Sequence, residues 1–71
     1  MIEVGDEVFV YVAESEDGKG SDVGWGRVIQ VDDDKVQVTW LVDLYRKGWF
    51  CTHNLASESV PELRIRVVDK K

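Results

Sequence analysis

Three groups of residues in this sequence have the types and spacing to do chemistry. The first is aromatic: Phe9, Tyr11, Trp25, Trp40, Tyr45, Trp49 and Phe50, with three tryptophans in 71 residues. Aromatic faces attract cations through the ring quadrupole. Trp25, Trp40, Tyr45 and Trp49, with Asp43 as an acidic neighbour, are therefore candidates to meet a cation or to form a flat protein-binding patch. The competing reading is that these rings fill a core or seal its ends, because aromatics supply the largest buried areas. The second group is basic: Arg46, Lys47, Arg64, Arg66, Lys70 and Lys71. Arg64 and Arg66 share a face of any strand that holds them, and with Trp49 they could track a single nucleic-acid strand by charge and stacking. Solvated charge on an edge strand, which discourages sheet-to-sheet aggregation, is the alternative.

The third group is Cys51 and His53, also two apart. A thiolate–imidazole pair is a minimal nucleophilic arrangement, but no residue nominates itself as the orienting group or the oxyanion site. Two such ligands do not complete a zinc site, and a buried cysteine acts most often as a small core hydrophobe. The run Asp32-Asp33-Asp34 lacks the alternating ligands and the distal bidentate carboxylate of a calcium loop, so it reads as a turn. The sequence thus assigns no catalytic residue, metal or cofactor, and predicts a protein that is not an enzyme.

Strands must position these side chains. Val8, Val10 and Val12 alternate with Phe9, Tyr11 and Ala13, a period of two in β-branched and aromatic residues, which predicts a first strand over Glu7–Ala13. A long loop follows over about 14–23, with Gly18 and Gly20. The second strand is expected over Gly24–Val31. Val28 and Val31 both have core character yet stand three apart, which calls for a bulge near Ile29. The acidic turn at 32–34 then joins a hairpin to a third strand, Val36–Leu41, with Val36, Val38 and Trp40 on one face. A connection over 42–48 carries Arg46, Lys47 and Gly48 at its tip. A fourth strand is expected over Trp49–His53, a single 3₁₀ turn within Asn54–Ser59, and a fifth strand over Leu63–Val68 after Pro61. Residues 69–71 read as a frayed end.

Five short strands, one long first loop and one tight hairpin predict an all-β domain spanning residues 1–71, curled so that its edges are protected. The segments Val4-Gly5-Asp6-Glu7-Val8, Trp25-Gly26-Arg27-Val28-Ile29-Gln30-Val31 and Val36-Gln37-Val38-Thr39-Trp40 resemble the SH3-like small barrels, a superfamily that includes Tudor, chromo-barrel, KOW and BAH domains. The likeness to a BAH or Tudor opening covers about residues 4–46; a full BAH domain is much longer. The resemblance implies a five-stranded SH3-like barrel with a 3₁₀ turn before its last strand. Since Tudor-like barrels cage a methylated ammonium with rings at one end, it also offers Trp25, Trp40, Tyr45 and Trp49, with Asp43, as such a cage. These motifs specify fold far better than function, because the barrel hosts many unrelated roles.

Composition narrows the function classes. No apolar run approaches the roughly 20 residues a membrane helix needs, no secretory pattern opens the chain, and a single cysteine excludes an internal disulfide. These features predict a soluble intracellular protein with no membrane partner. Net charge is −5, unevenly placed: residues 1–34 hold two basic and ten acidic residues, and residues 35–71 hold seven basic and four acidic. The uneven placement hints at an oriented surface, although acidic loops also keep a small domain soluble. The preferred expectation is a non-catalytic interaction module that binds a protein or peptide through an aromatic-rich barrel end: Trp25, Trp40, Asp43, Tyr45 and Trp49. The alternatives are a nucleic-acid-associated barrel using Arg46, Lys47, Arg64 and Arg66, and a small structural subunit of a larger complex.

Overall fold

Alternation in the apolar stretches produces a single antiparallel sheet. The computed structural model describes residues 2–13, 21–41 and 46–68. Its strands are β1 (Glu7–Val12), β2 (Ser21–Val31), β3 (Lys35–Trp40), β4 (Arg46–Cys51) and β5 (Leu63–Val67), in the order β4-β3-β2-β1-β5 with every neighbour antiparallel. No helix is present among the described residues. One phase of each strand turns inward. Val8 and Val10 of β1, Val28 of β2, Val36, Val38 and Trp40 of β3, Phe50 of β4 and Ile65 of β5 form the buried core. At roughly 1.5–3 kcal/mol for each fully buried large apolar side chain, this cluster is the main source of stability.

The sheet curls into a barrel-like roll. The segment after β4 bridges the two outer strands: Ser57 pairs with Phe50 of β4, and Ala56 pairs with Arg64 of β5. The Cys51 N–H donates to the Ala56 carbonyl (2.9 Å) and the Ser57 N–H to the Leu63 carbonyl (2.9 Å). Both outer strands thereby acquire backbone partners over part of their length, one way in which an open edge is blunted. Curling also needs close approach at Gly26, where an added Cβ would stand 2.9 Å from the Thr39 carbonyl oxygen and 2.9 Å from Val38 Cγ1.

The opening Val4-Gly5-Asp6 has a structural role. Gly5 adopts φ +96°, which a side chain would disfavour. Asp6 is buried, and its Oδ2 accepts the Glu3 N–H at 2.9 Å. The Gly5 N–H donates to the Val28 carbonyl and the Val28 N–H to the Asp6 carbonyl (2.8 and 3.0 Å), so this turn continues the pairing of β1 with β2.

Several boundaries differ from the sequence expectation. The bulge lies where it was needed, with the β2–β3 register shifting between Val28 and Gln30. Val28 is buried, but Val31 is 40% exposed because it stands at the end of the roll. Strand β2 begins at Ser21, within the expected loop, because Tyr11 and Val12 extend the ladder to Asp22 and Ser21. Strand β4 runs Arg46–Cys51, three residues earlier at its start than expected, because Trp40, Thr39 and Val38 pair with Arg46, Lys47 and Gly48. Residues 52–54 form a hydrogen-bonded turn in place of strand. In the 54–59 segment, Leu55 takes the left-handed conformation (φ 60°) and Ala56 and Ser57 make bridges, so the observed local structure there is a turn followed by bridges. The rest of the expected first loop, 14–20, and the expected frayed end, 69–71, lie outside the described residues.

Candidate functional site

The second phase of each strand faces outward, and on three adjacent strands it carries rings and cations. Phe9 of β1 stands directly opposite Trp25 of β2 and Arg66 of β5. Its ring stacks on Trp25 with centroids 4.5 Å apart and planes 23° apart. The Arg66 guanidinium lies 5.1 Å from the Phe9 centroid and 5.9 Å from that of Tyr11, within cation–π range. Arg64 stands opposite Tyr11. The result is a cross-strand row in the order Trp25, Phe9, Arg66. Trp25 is 58% exposed despite its stacking partner, so a large apolar surface is both oriented and open.

Beside this row is a cleft of about 370 Å³ lined by Glu7, Trp25, Gly26, Arg27, Thr39, Trp40 and Leu41. Along β2, Trp25 and Arg27 point the same way, about 6.6 Å apart by the strand rise, with the side-chain-free Gly26 between them. An Arg27 Nη2 to Glu7 Oε2 ion pair of 3.4 Å closes one side, both groups being largely exposed. Thr39 Oγ1 is the one buried side-chain oxygen or nitrogen without a hydrogen-bond partner among the described residues. Leu41, on the cleft wall, has φ 77°, a conformation that costs a leucine about 1–2 kcal/mol. The cleft therefore combines an aromatic wall, a guanidinium, a carboxylate and a strained backbone position, features that cluster at recognition sites.

Among the described residues, the expected Trp25, Trp40 and Trp49 do not converge on one point. Trp25 and Trp40 both border the cleft, but Trp40 is 7% exposed and packs edge-on to Phe50 in the core at 5.9 Å. Trp49 lies across β3 from Trp25, opposite Gln37, with Lys35 Nζ 4.8 Å from its ring. The β3 partners Trp40 (of Gly26) and Gln37 (of Trp49) are three residues apart, roughly 10 Å, so Trp25 and Trp49 do not grip one small group. Asp43 and Tyr45 lie outside the described residues. Arg46 and Lys47 border a separate recess of about 240 Å³ against Trp40, Ser57 and Leu63. Arg64 and Arg66 do share a face, as their spacing predicts; the Arg64 guanidinium also donates to the Pro61 carbonyl.

Sequence reasoning left out Phe9, Tyr11, Arg27 and Thr39 as site residues. The signal was present for the first two: Val8 and Val10 claim the inner phase of β1, so Phe9 and Tyr11 must face out. Cys51 is half-buried at the end of β4, while His53 is exposed in the following turn, so the two share no strand face. Among the described residues no group of three or more His, Cys, Asp and Glu could hold a metal ion, and no helix is long and apolar enough to cross a membrane. No protein-family model matches the chain, and no curated protein and no solved structure matches it either.

Proposed function

We propose that this chain is a non-catalytic binding module of the SH3-like small-barrel type. It takes a protein or peptide partner on the outer face of β1, β2 and β5, with a partner side chain seated in the cleft beside Trp25. The strand order, the bridging segment at 56–57 and the Val4-Gly5-Asp6 turn support the barrel assignment. One observation carries the functional reading: Trp25 is 58% exposed yet stacked on Phe9. An aromatic anchor held in place before binding loses little conformational freedom when a partner arrives, and tryptophan is enriched among residues that dominate binding energy. Arg27, two residues along β2, and Arg66, on the far side of Phe9, set orientation and favour carboxylates on the partner.

A second reading, single-stranded nucleic acid, is favoured by the cation–π contacts of Arg66 with Phe9 and Tyr11, with Arg64 alongside, since rings interleaved with cations bind bases and phosphates. The acidic balance of the chain, −5, weighs against it because phosphate neutralisation supplies most of that affinity.

The test compares wild-type, Trp25→Ala and Trp49→Ala protein immobilised against an extract of the source cells. The proposal expects a retained protein that is lost with Trp25→Ala and kept with Trp49→Ala, with all three baits folded by circular dichroism. Retention of oligonucleotide that falls steeply with salt favours the second reading. Equal retention by wild type and Trp25→Ala refutes the role given to this face.

A further inference from the structure

The opposite end of the roll carries a second cleft that shares no residue with the first. Antiparallel pairing gathers there the end of β2, the start of β3, the end of β4 and the end of β5. Ile2, Val31, Leu55 and Val67 make its apolar wall, Asp32 and Asp33 stand on its rim, and its volume is about 530 Å³. We propose that this cleft is a separate docking site whose occupant is a short basic peptide segment, an apolar side chain flanked by lysine or arginine.

Three observations specify that chemistry. The wall is apolar but open, with Val31 40% and Val67 42% exposed, so an apolar side chain entering it removes surface from water on both partners. The rim is anionic and unneutralised: Asp32 and Asp33, with Asp34 next in the same turn, are exposed, and none of the three has an ion-pair partner among the described residues. The rim is also fixed. The Asp32 N–H donates to the Lys35 carbonyl at 2.8 Å, and the Thr52 N–H donates to the Asp34 carbonyl at 3.0 Å. The carboxylates therefore stand on a backbone that does not need ordering when a cation approaches.

Leu55 adds an independent indication. It and Leu41 are the two non-glycine residues with positive φ among the described residues, and each lines one of the two clefts. The Leu55 N–H donates to the Cys51 carbonyl and its carbonyl accepts the Ile65 N–H, at 2.8 and 3.1 Å, so surrounding structure enforces the strain. Strain maintained in this way is concentrated at ligand sites. Charge selects among occupants. Phosphates and acidic peptides are repelled by these carboxylates. A cation-flanked apolar side chain satisfies both the wall and the rim.

The experiment titrates isotope-labelled protein with the peptide Ac-Lys-Lys-Leu-Phe-Lys-Lys-amide and follows amide chemical shifts. The proposal expects shifts at 31–33, 52, 55 and 67 while the Trp25 indole N–H stays fixed. Replacing Leu-Phe by Ser-Ser should weaken binding at least about tenfold through lost apolar burial, and replacing every Lys by Glu should abolish it. Asp33→Lys, in an exposed turn, should weaken binding about fivefold by removing one attraction and adding one repulsion. Val67→Lys, at an exposed strand end, should do so independently, and melting curves establish that both variants fold. Equal binding of the Ser-Ser or Glu-flanked peptide overturns the proposal, as do shifts confined to the Trp25 face. It is also overturned if these resonances move with protein concentration alone or respond to a single-stranded oligonucleotide.

Discussion

Replacing Gly26 by alanine sets two physical effects against each other, and the structure decides which one wins. Judged by conformational freedom alone, Gly→Ala in a strand should stabilise by about 0.4–1 kcal/mol through the unfolded state. Gly26, however, sits where β2 is pressed between β1 and β3. An alanine Cβ there would lie 2.9 Å from the Thr39 carbonyl oxygen, 2.9 Å from Val38 Cγ1 and 3.2 Å from Val8 Cγ2. The first neighbour is backbone, and the other two belong to fully buried core side chains, so none can swing aside. Overpacking a close-packed core costs about 1–3 kcal/mol, and contact with an immobile carbonyl places this site near the upper value. The net expectation is a loss of about 2 kcal/mol, a drop of about 10 °C in Tm for a domain this small. Thermal and urea melts followed by circular dichroism measure it, with an unchanged urea slope showing that stability alone has moved. A Tm equal to or above wild type would refute the close approach of β1, β2 and β3, and with it the curl that turns Phe9 and Trp25 outward. Gly5→Ala separates sterics from backbone strain: its Cβ meets nothing within 4 Å, yet φ is +96°, so a loss of about 1 kcal/mol is expected from conformation only.

Three further outcomes follow from the same contacts. Asp6→Ala should lose about 1.5–3 kcal/mol in a urea melt, because a buried carboxylate that accepts the Glu3 N–H is removed. Phe50→Ala empties the centre of the core, and a loss of about 3–5 kcal/mol against a total of about 4–10 kcal/mol for a chain of this length should abolish or nearly abolish cooperative unfolding. Arg27→Ala breaks an ion pair whose two groups are mostly solvated, so Tm should stay within what about 0.2–1 kcal/mol produces.

How much of this was legible in the sequence depended on whether local pattern or distant pairing sets the structure. The inner phases of β1 and β3 were legible because valines alternate there without interruption. The bulge at Ile29 was legible because Val28 and Val31 are out of phase, and the hairpin because three aspartates interrupt two apolar runs. The start of β4 was not, since Arg46-Lys47-Gly48 has no alternation of its own and becomes strand only because β3 offers it a ladder. Ser21 and Asp22 join β2 for the same reason. The tryptophans were the least legible. Trp25 lies between two glycines, so no neighbour fixes its phase; its outward position follows from pairing with Phe9. Trp40 continues the buried series of Val36 and Val38, which already pointed inward. The cleft at the far end brings together residues from position 2 to position 67, a juxtaposition that only the strand order creates.

The most direct test is solvent access at individual indoles. With fluorotryptophan incorporated and each resonance assigned by a Trp→Phe variant, the fluorine shift between light and heavy water reports contact with solvent. The account predicts a large isotope shift for Trp25 and almost none for Trp40. A Trp25 as protected as Trp40 would contradict it, because the outer face would then have no exposed ring for a partner to meet.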